Sequence, residues 1–128
     1  MDKREFLAQL KQAGVEVDQA LNRFMGNEDL YLSFLVKLPE KIHSEEILRA
    51  LETGDEDNFY LMVHNLKGMA ANLGLTPIQD SAQAILVEFR SSRFEYHDKL
   101  SALTQEVAQE SAFFSELIRS YVREGETK

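Results

Sequence analysis

The chain has 128 residues, no cysteine and a formal net charge of -8, which fits one domain that buries a core without disulfides. The lack of cysteine excludes thiolate metal sites, and an acidic chain with scattered basic residues is a poor ligand for nucleic acid. No apolar run approaches the roughly 18 residues that span a bilayer, and the N-terminal residues lack the apolar segment of a signal peptide. We therefore expect a cytoplasmic protein that binds neither nucleic acid nor membrane.

Helical periodicity dominates the chain from its first residues. Only two prolines and six glycines interrupt it, and no clean alternation of apolar and polar residues indicates a strand. A first helix is predicted over residues 2–13, followed by a short helical turn over 18–25. The next helix begins at the cap residue Asn27, and Pro39 either kinks it or divides it in two before Gly54.

Capping residues place the remaining helices. Asp55 is a candidate N-cap for a helix over about 56–73, Gly74 closes it, and Pro77 is typical of the first turn of another helix. A last long helix is expected to end in a frayed tail over residues 124–128. Because short connections favour antiparallel neighbours, the whole chain is predicted to be a single all-α domain, an up-down-up-down four-helix bundle with an additional short N-terminal helix.

The helix that contains His64 places this residue away from its apolar stripe. At about 100° per residue the stripe lies within about 60° of Leu66, whereas His64 falls about 160° away. Gly68 and Ala71 fall beside His64, and Leu61 lies on the same outer side. The stripe itself consists of Phe59, Met62, Val63, Met69, Ala70 and Leu73. A buried structural histidine is thus disfavoured, and a solvated surface histidine without a special role remains the ordinary interpretation.

The residues around His64 favour a more specific role. Gly68 removes the side chain that would stand one turn after the imidazole, and Lys67 brings a cation within reach of an anion on the ring. Neutral imidazole is a good nucleophile near pH 7, and phosphoryl transfer depends mostly on positioning and charge stabilisation. Because no carboxylate cluster near His64 in the sequence would hold Mg²⁺, the metal is expected to come from a partner.

The stretch "HNLKGMAANLGL", residues 64–75, closely resembles the phosphoacceptor motif H-x-x-K-G of histidine-containing phosphotransfer (HPt) domains. The resemblance extends over about residues 14–120. It implies a four-helix bundle that shuttles a phosphoryl group between receiver-domain aspartates and has no kinase activity of its own. The implied partners are response-regulator receiver domains, which bring the Mg²⁺, and a hybrid sensor histidine kinase. We expect a monomer without an intrinsic cofactor.

The resemblance assigns roles to individual positions. His64 matches the phosphorylated histidine, Lys67 the lysine that steadies the phosphate, Gly68 the glycine that leaves room for the receiver, and Gly74 the glycine that closes the helix. The surface expected to dock a receiver consists of Leu61, Gly68, Ala71 and Leu75.

Two positions depart from the family pattern. Met69 stands where the family often has a small residue. Family members also often place a glutamine near the imidazole on the following helix, where the best-aligned residue here is Leu86, with Gln83 one turn earlier and Glu88 just beyond. Gln83 is a candidate contact to the ring or the phosphate, and which group hydrogen-bonds the ring stays open.

Other functions fit the sequence less well. A helical adaptor could bind receiver or kinase domains through the surface around His64 without phosphorylation, but it has no evident need for the whole His-Lys-Gly set. A metal site is disfavoured because His43, His64 and His97 lie far apart in the sequence. No Gly-rich phosphate loop and no serine in a nucleophile-elbow context supports an independent kinase or hydrolase.

Overall fold

The computed structural model describes residues 1–126, and within this range the chain is helical and contains no strand. The predicted all-α class is therefore confirmed. The helices are α1 (Lys3–Gln12), α2 (Val17–Arg23), α3 (Glu28–Leu35), α4 (Leu38–Lys41), α5 (Ser44–Thr53), α6 (Glu56–Leu73), α7 (Thr76–Ser92) and α8 (His97–Glu126).

Four of these helices close a ring. Helix α5 packs against α6, α6 against α7, α7 against α8, and α8 returns to α5. Helix α6 ends at Leu73 and α7 begins at Thr76, and so short a connection between packed helices makes them antiparallel. All eight helices contribute to one hydrophobic cluster. Its largest fully buried side chains include Tyr31, Phe6, Phe59, Phe89 and Phe114.

The chain before this ring is more divided than the sequence indicated. Helix α3 ends at Leu35, the short α4 holds Pro39 in its first turn, and α5 starts only at Ser44. Proline tolerates the first turn of a helix because the N–H that it lacks has no intrahelical partner there. The open choice between one bent helix and two is thus resolved as three consecutive segments. The additional N-terminal helix of the predicted bundle is α1, and the predicted helical turn over 18–25 is the short helix α2.

Helix α1 lies against the C-terminal part of α8. The Phe6 ring stacks on Tyr121 with centroids 4.2 Å apart and planes 3° apart, and the N-terminal amine pairs with Glu124. Helix α8 continues through Glu126, so residues 124–126 of the predicted frayed tail are helical in the structure. The rest of that predicted tail, residues 127–128, lies outside the described residues.

Both ends of α6 are fixed by hydrogen bonds that position the rest of the helix. At its start the Asp55 side chain accepts from the backbone N–H of Asn58 at 3.3 Å, as its predicted N-cap role requires. At its end the Leu73 carbonyl accepts from the Tyr31 hydroxyl at 2.8 Å. The Gly74 carbonyl accepts from the backbone N–H of Glu16, also at 2.8 Å. Helix α3 and the connection between α1 and α2 thereby hold the C-terminal end of α6.

Candidate functional site

Helix α6 turns His64 outward. The imidazole is exposed, as the helical wheel predicted. Of the predicted stripe, Met62 and Met69 are only partly buried and pack against the edge of the core. The fully buried members are Phe59, Val63, Leu66, Ala70 and Leu73. The core of the bundle therefore forms without the histidine and leaves its ring available to another molecule.

The surface that follows His64 along α6 is low. A Cβ atom built at Gly68 would meet nothing within 4 Å, so the space beside the backbone is open. Leu61 is 53% exposed, while Ala71 and Lys67 are half-buried. The structure thus brings His64, Lys67 and Gly68 to one face of α6, bordered by an exposed leucine.

Leu75 does not belong to this surface, and its prediction as a docking residue is wrong. The side chain is 0% exposed. Its backbone N–H donates to the Ala70 carbonyl at 2.8 Å, and the N–H of Gly74 donates to Ala71 at 3.3 Å. This pair of bonds is a Schellman motif, in which the residue after the glycine turns its apolar side chain back onto the helix. Leu75 therefore packs in the core.

One residue at the site, Tyr60, was not predicted from the sequence. Its ring stacks on His64, with centroids 5.8 Å and planes 11° apart. The other neighbour of Tyr60 is Phe89 on α7, at 6.0 Å between centroids and 31° between planes. The signal in the sequence was the i, i+4 spacing of the two residues, since side chains so spaced are neighbours on a helix.

The three candidates on α7 have different environments. Leu86 is 1% exposed and belongs to the core. Glu88 pairs with Lys99 at 3.0 Å, and the hydrogen bond from Lys99 lowers the pKa of this carboxyl below its usual range. Gln83 Oε1, by contrast, is buried and accepts no hydrogen bond from any described residue. A buried oxygen without a hydrogen bond is energetically costly. Of the three residues, Gln83 is therefore the candidate to accept a hydrogen bond from a ring N–H.

Residues 1–126 contain neither a candidate metal cluster nor a candidate membrane-spanning helix. No group of three or more histidine, cysteine, aspartate or glutamate residues in this range is arranged to hold a metal ion. Nor does any helix within it combine the length and the apolar composition required to cross a membrane.

The chemistry of the site follows from an exposed nucleophile beside a cation. The imidazole of His64 can offer a lone pair to an electrophile that approaches from solvent. Lys67, one turn further along α6, can interact with negative charge placed on the ring. The open backbone at Gly68 permits the close approach of a second macromolecule to the same atoms.

Comparisons with known proteins agree with this geometry. A family model described as Hpt domain matches residues 29–113, a range that includes α6 and α7 completely. A search of curated proteins and a search of solved structures found no match.

Proposed function

The chain belongs to the Hpt domain family, whose members serve histidine phosphotransfer in two-component signalling, and on this premise we propose that it is a phosphorelay intermediate. His64 accepts a phosphoryl group from the aspartyl phosphate of one receiver domain and passes it to the receiver of another response regulator. The observation that supports this most strongly is an exposed imidazole, inside the matched range, with open space beside it at Gly68.

The phosphoryl transfer requires no reactant besides the imidazole and the aspartyl phosphate. The lone pair of the neutral imidazole attacks phosphorus and forms an N–P bond, while the P–O bond to the receiver aspartate breaks and the aspartate leaves as a carboxylate. The proton on the other ring nitrogen is released to solvent or to an acceptor. Lys67 interacts with the phosphoryl oxygens and offsets their charge. The free acceptor of Gln83 is suited to orient either the ring or the phosphohistidine.

The remaining components come from the partners. Mg²⁺, bound by the receiver, supplies charge neutralisation during transfer. The phosphate originates from a hybrid sensor histidine kinase, since the chain itself acts as a phosphocarrier and not as a kinase. We place the protein in the cytoplasm as a monomer, with protein partners in preference to nucleic acid or membrane.

A labelling experiment tests the proposal. The protein is incubated with a receiver domain that carries labelled aspartyl phosphate, in the presence of Mg²⁺. The label is expected to move to the protein in an acid-labile, base-stable form, and His64→Gln should abolish it. The chain offers two matched controls, because His43 and His97 are also exposed: His43→Gln and His97→Gln should take label at the wild-type rate.

Two outcomes would contradict the proposal in different ways. Label that persists in His64→Gln and disappears in either control would show that the phosphorylated residue was assigned wrongly. A wild-type protein that binds receivers but never takes label from any receiver of the source organism would instead support the adaptor alternative.

A further inference from the structure

The ring of Tyr60 contacts the imidazole of His64, and we infer that Tyr60 is a positioning residue that holds this imidazole in the orientation required for phosphoryl transfer. The inference rests on the proposed function, because it concerns the same histidine. It adds a residue that lies before the His-Lys-Gly motif and outside it.

The contact follows from the direction of helical side chains. In an α-helix a long side chain leans toward the N-terminus and lies over the residue one turn earlier. His64 accordingly leans over Tyr60, and the two rings are nearly parallel, 11° apart, with 5.8 Å between their centroids. One side of the imidazole is therefore in contact with an aromatic ring, which restricts its rotation.

Tyr60 is suited to this role because it is itself held in place. Its ring contacts Phe89, which is 1% exposed and packs against Phe59 at 5.6 Å between centroids. The guanidinium of Arg93 lies over the Phe89 ring, 5.1 Å from its centroid. The half-buried Tyr60 ring thus connects the exposed histidine to the rigid core between α6 and α7.

The opposite side of the imidazole is left free. A side chain at Gly68 would lean back toward His64 for the same geometric reason, but glycine has none and the space is open. The ring is thus restrained on its N-terminal side and accessible on its C-terminal side. Such a restraint reduces the rotation that an exposed imidazole must lose when it aligns with the breaking P–O bond, without obstructing the partner.

Single-turnover transfer from a phosphorylated receiver separates positioning from docking. For Tyr60→Ala we expect the maximal rate to fall about threefold to tenfold, because a ring contact and its alignment are lost. The receiver concentration for half-maximal rate should stay within about twofold of the wild type. Tyr60→Phe retains the ring and should transfer within about twofold of the wild-type rate. Tyr96→Ala, which removes an exposed tyrosine elsewhere, is the matched control and should change neither parameter.

A second measurement examines the contact without any transfer. In the NMR spectrum of the unphosphorylated protein, the His64 ring protons should show a shift from the Tyr60 ring current. This shift should persist in Tyr60→Phe and disappear in Tyr60→Ala, and thermal unfolding of each variant verifies that it is folded.

The outcomes separate the two proposals. If the wild-type protein takes label on His64 but Tyr60→Ala transfers at the wild-type maximal rate, the positioning role is overturned and the relay function stands. The same holds if only the half-saturating concentration rises, since that result assigns Tyr60 to docking. If the wild type never takes label, the relay function fails, and the inference fails with it even where the ring-current shift confirms the contact.

Discussion

Gly68 and Gly74 both belong to the stretch over residues 64–75 that contains the H-x-x-K-G motif. The space around the two glycines differs. At Gly74 the backbone is left-handed, with φ +75°, and a Cβ atom would lie 2.7 Å from the Glu16 carbonyl oxygen and 3.2 Å from the Ala20 Cβ. At Gly68 the backbone is helical and a Cβ would meet nothing within 4 Å. One glycine is required by the folded chain, and the other is not.

The comparison indicates what each glycine is for. Gly74 lets α6 end and lets the N-terminal helices approach its last turn, so its role lies within the molecule. Glycine inside a helix costs about 0.5–1 kcal/mol relative to alanine, and no described residue lies close enough to a Cβ at Gly68 to account for the glycine. We therefore propose that Gly68 serves the approach of a partner to His64.

The largest expected effect is the loss of stability in Gly74→Ala. A non-glycine residue in the left-handed region costs about 1–2 kcal/mol, and the collision with Glu16 adds an overpacking cost of similar size. We expect the free energy of unfolding to fall by about 3 kcal/mol, measured by urea denaturation.

Gly54→Ala is the matched control for this substitution. Gly54 closes α5 with φ +76°, and the Asp55 N–H donates to the Ala50 carbonyl at 2.8 Å as in the motif at Gly74. A Cβ at Gly54 would meet nothing within 4 Å, so only the backbone cost of about 1 kcal/mol remains. Equal losses in the two variants would contradict the role of the close approach to Glu16.

A smaller effect is expected from Tyr31→Phe, which keeps the packing at the end of α6 but removes its hydrogen bond. Tyr31 is fully buried, and its hydroxyl donates to the Leu73 carbonyl at 2.8 Å. Burial raises the pKa of this hydroxyl, which stays protonated as the donor must be. Leaving the carbonyl of the last helical turn unpaired should cost about 1–2 kcal/mol in urea denaturation. Phosphotransfer should be unchanged, and a variant that is fully stable but inactive would contradict the division between the two regions.

Local signals in the sequence were enough to predict most of α6. The cap at Asp55, the closing glycine and the outward direction of His64 all depend on residues within a few turns of one another, and the structure agrees with each. The contact of Gly74 with Glu16 joins residues distant in the sequence, so no local pattern could reveal it. The burial of Leu75 was predictable in principle, since the residue after a closing glycine commonly packs back onto its helix.

The site itself was predicted only in part. His64, Lys67 and Gly68 share a face because helical periodicity fixes their directions. Tyr60 also satisfies this periodicity, but its anchoring on Phe89 depends on how α6 and α7 pack. The same packing decides that Leu86 is buried and that Glu88 turns toward Lys99, which the sequence alone left open.

The smallest change in stability, and the opposite sign, is expected at Gly68. Gly68→Ala and Gly68→Gln place better helix formers in open space and should raise the free energy of unfolding by about 0.5–1 kcal/mol. The glutamine side chain leans toward His64, so Gly68→Gln should also slow transfer from a phosphorylated receiver by about tenfold or more. Gly125→Gln, at a helical glycine of α8 that also has open space around its Cβ position, controls for the added side chain and should transfer normally. If Gly68→Gln were destabilised, the space would be occupied after all; if it transferred at the wild-type rate, the receiver would have to approach His64 from a direction that does not cross this glycine.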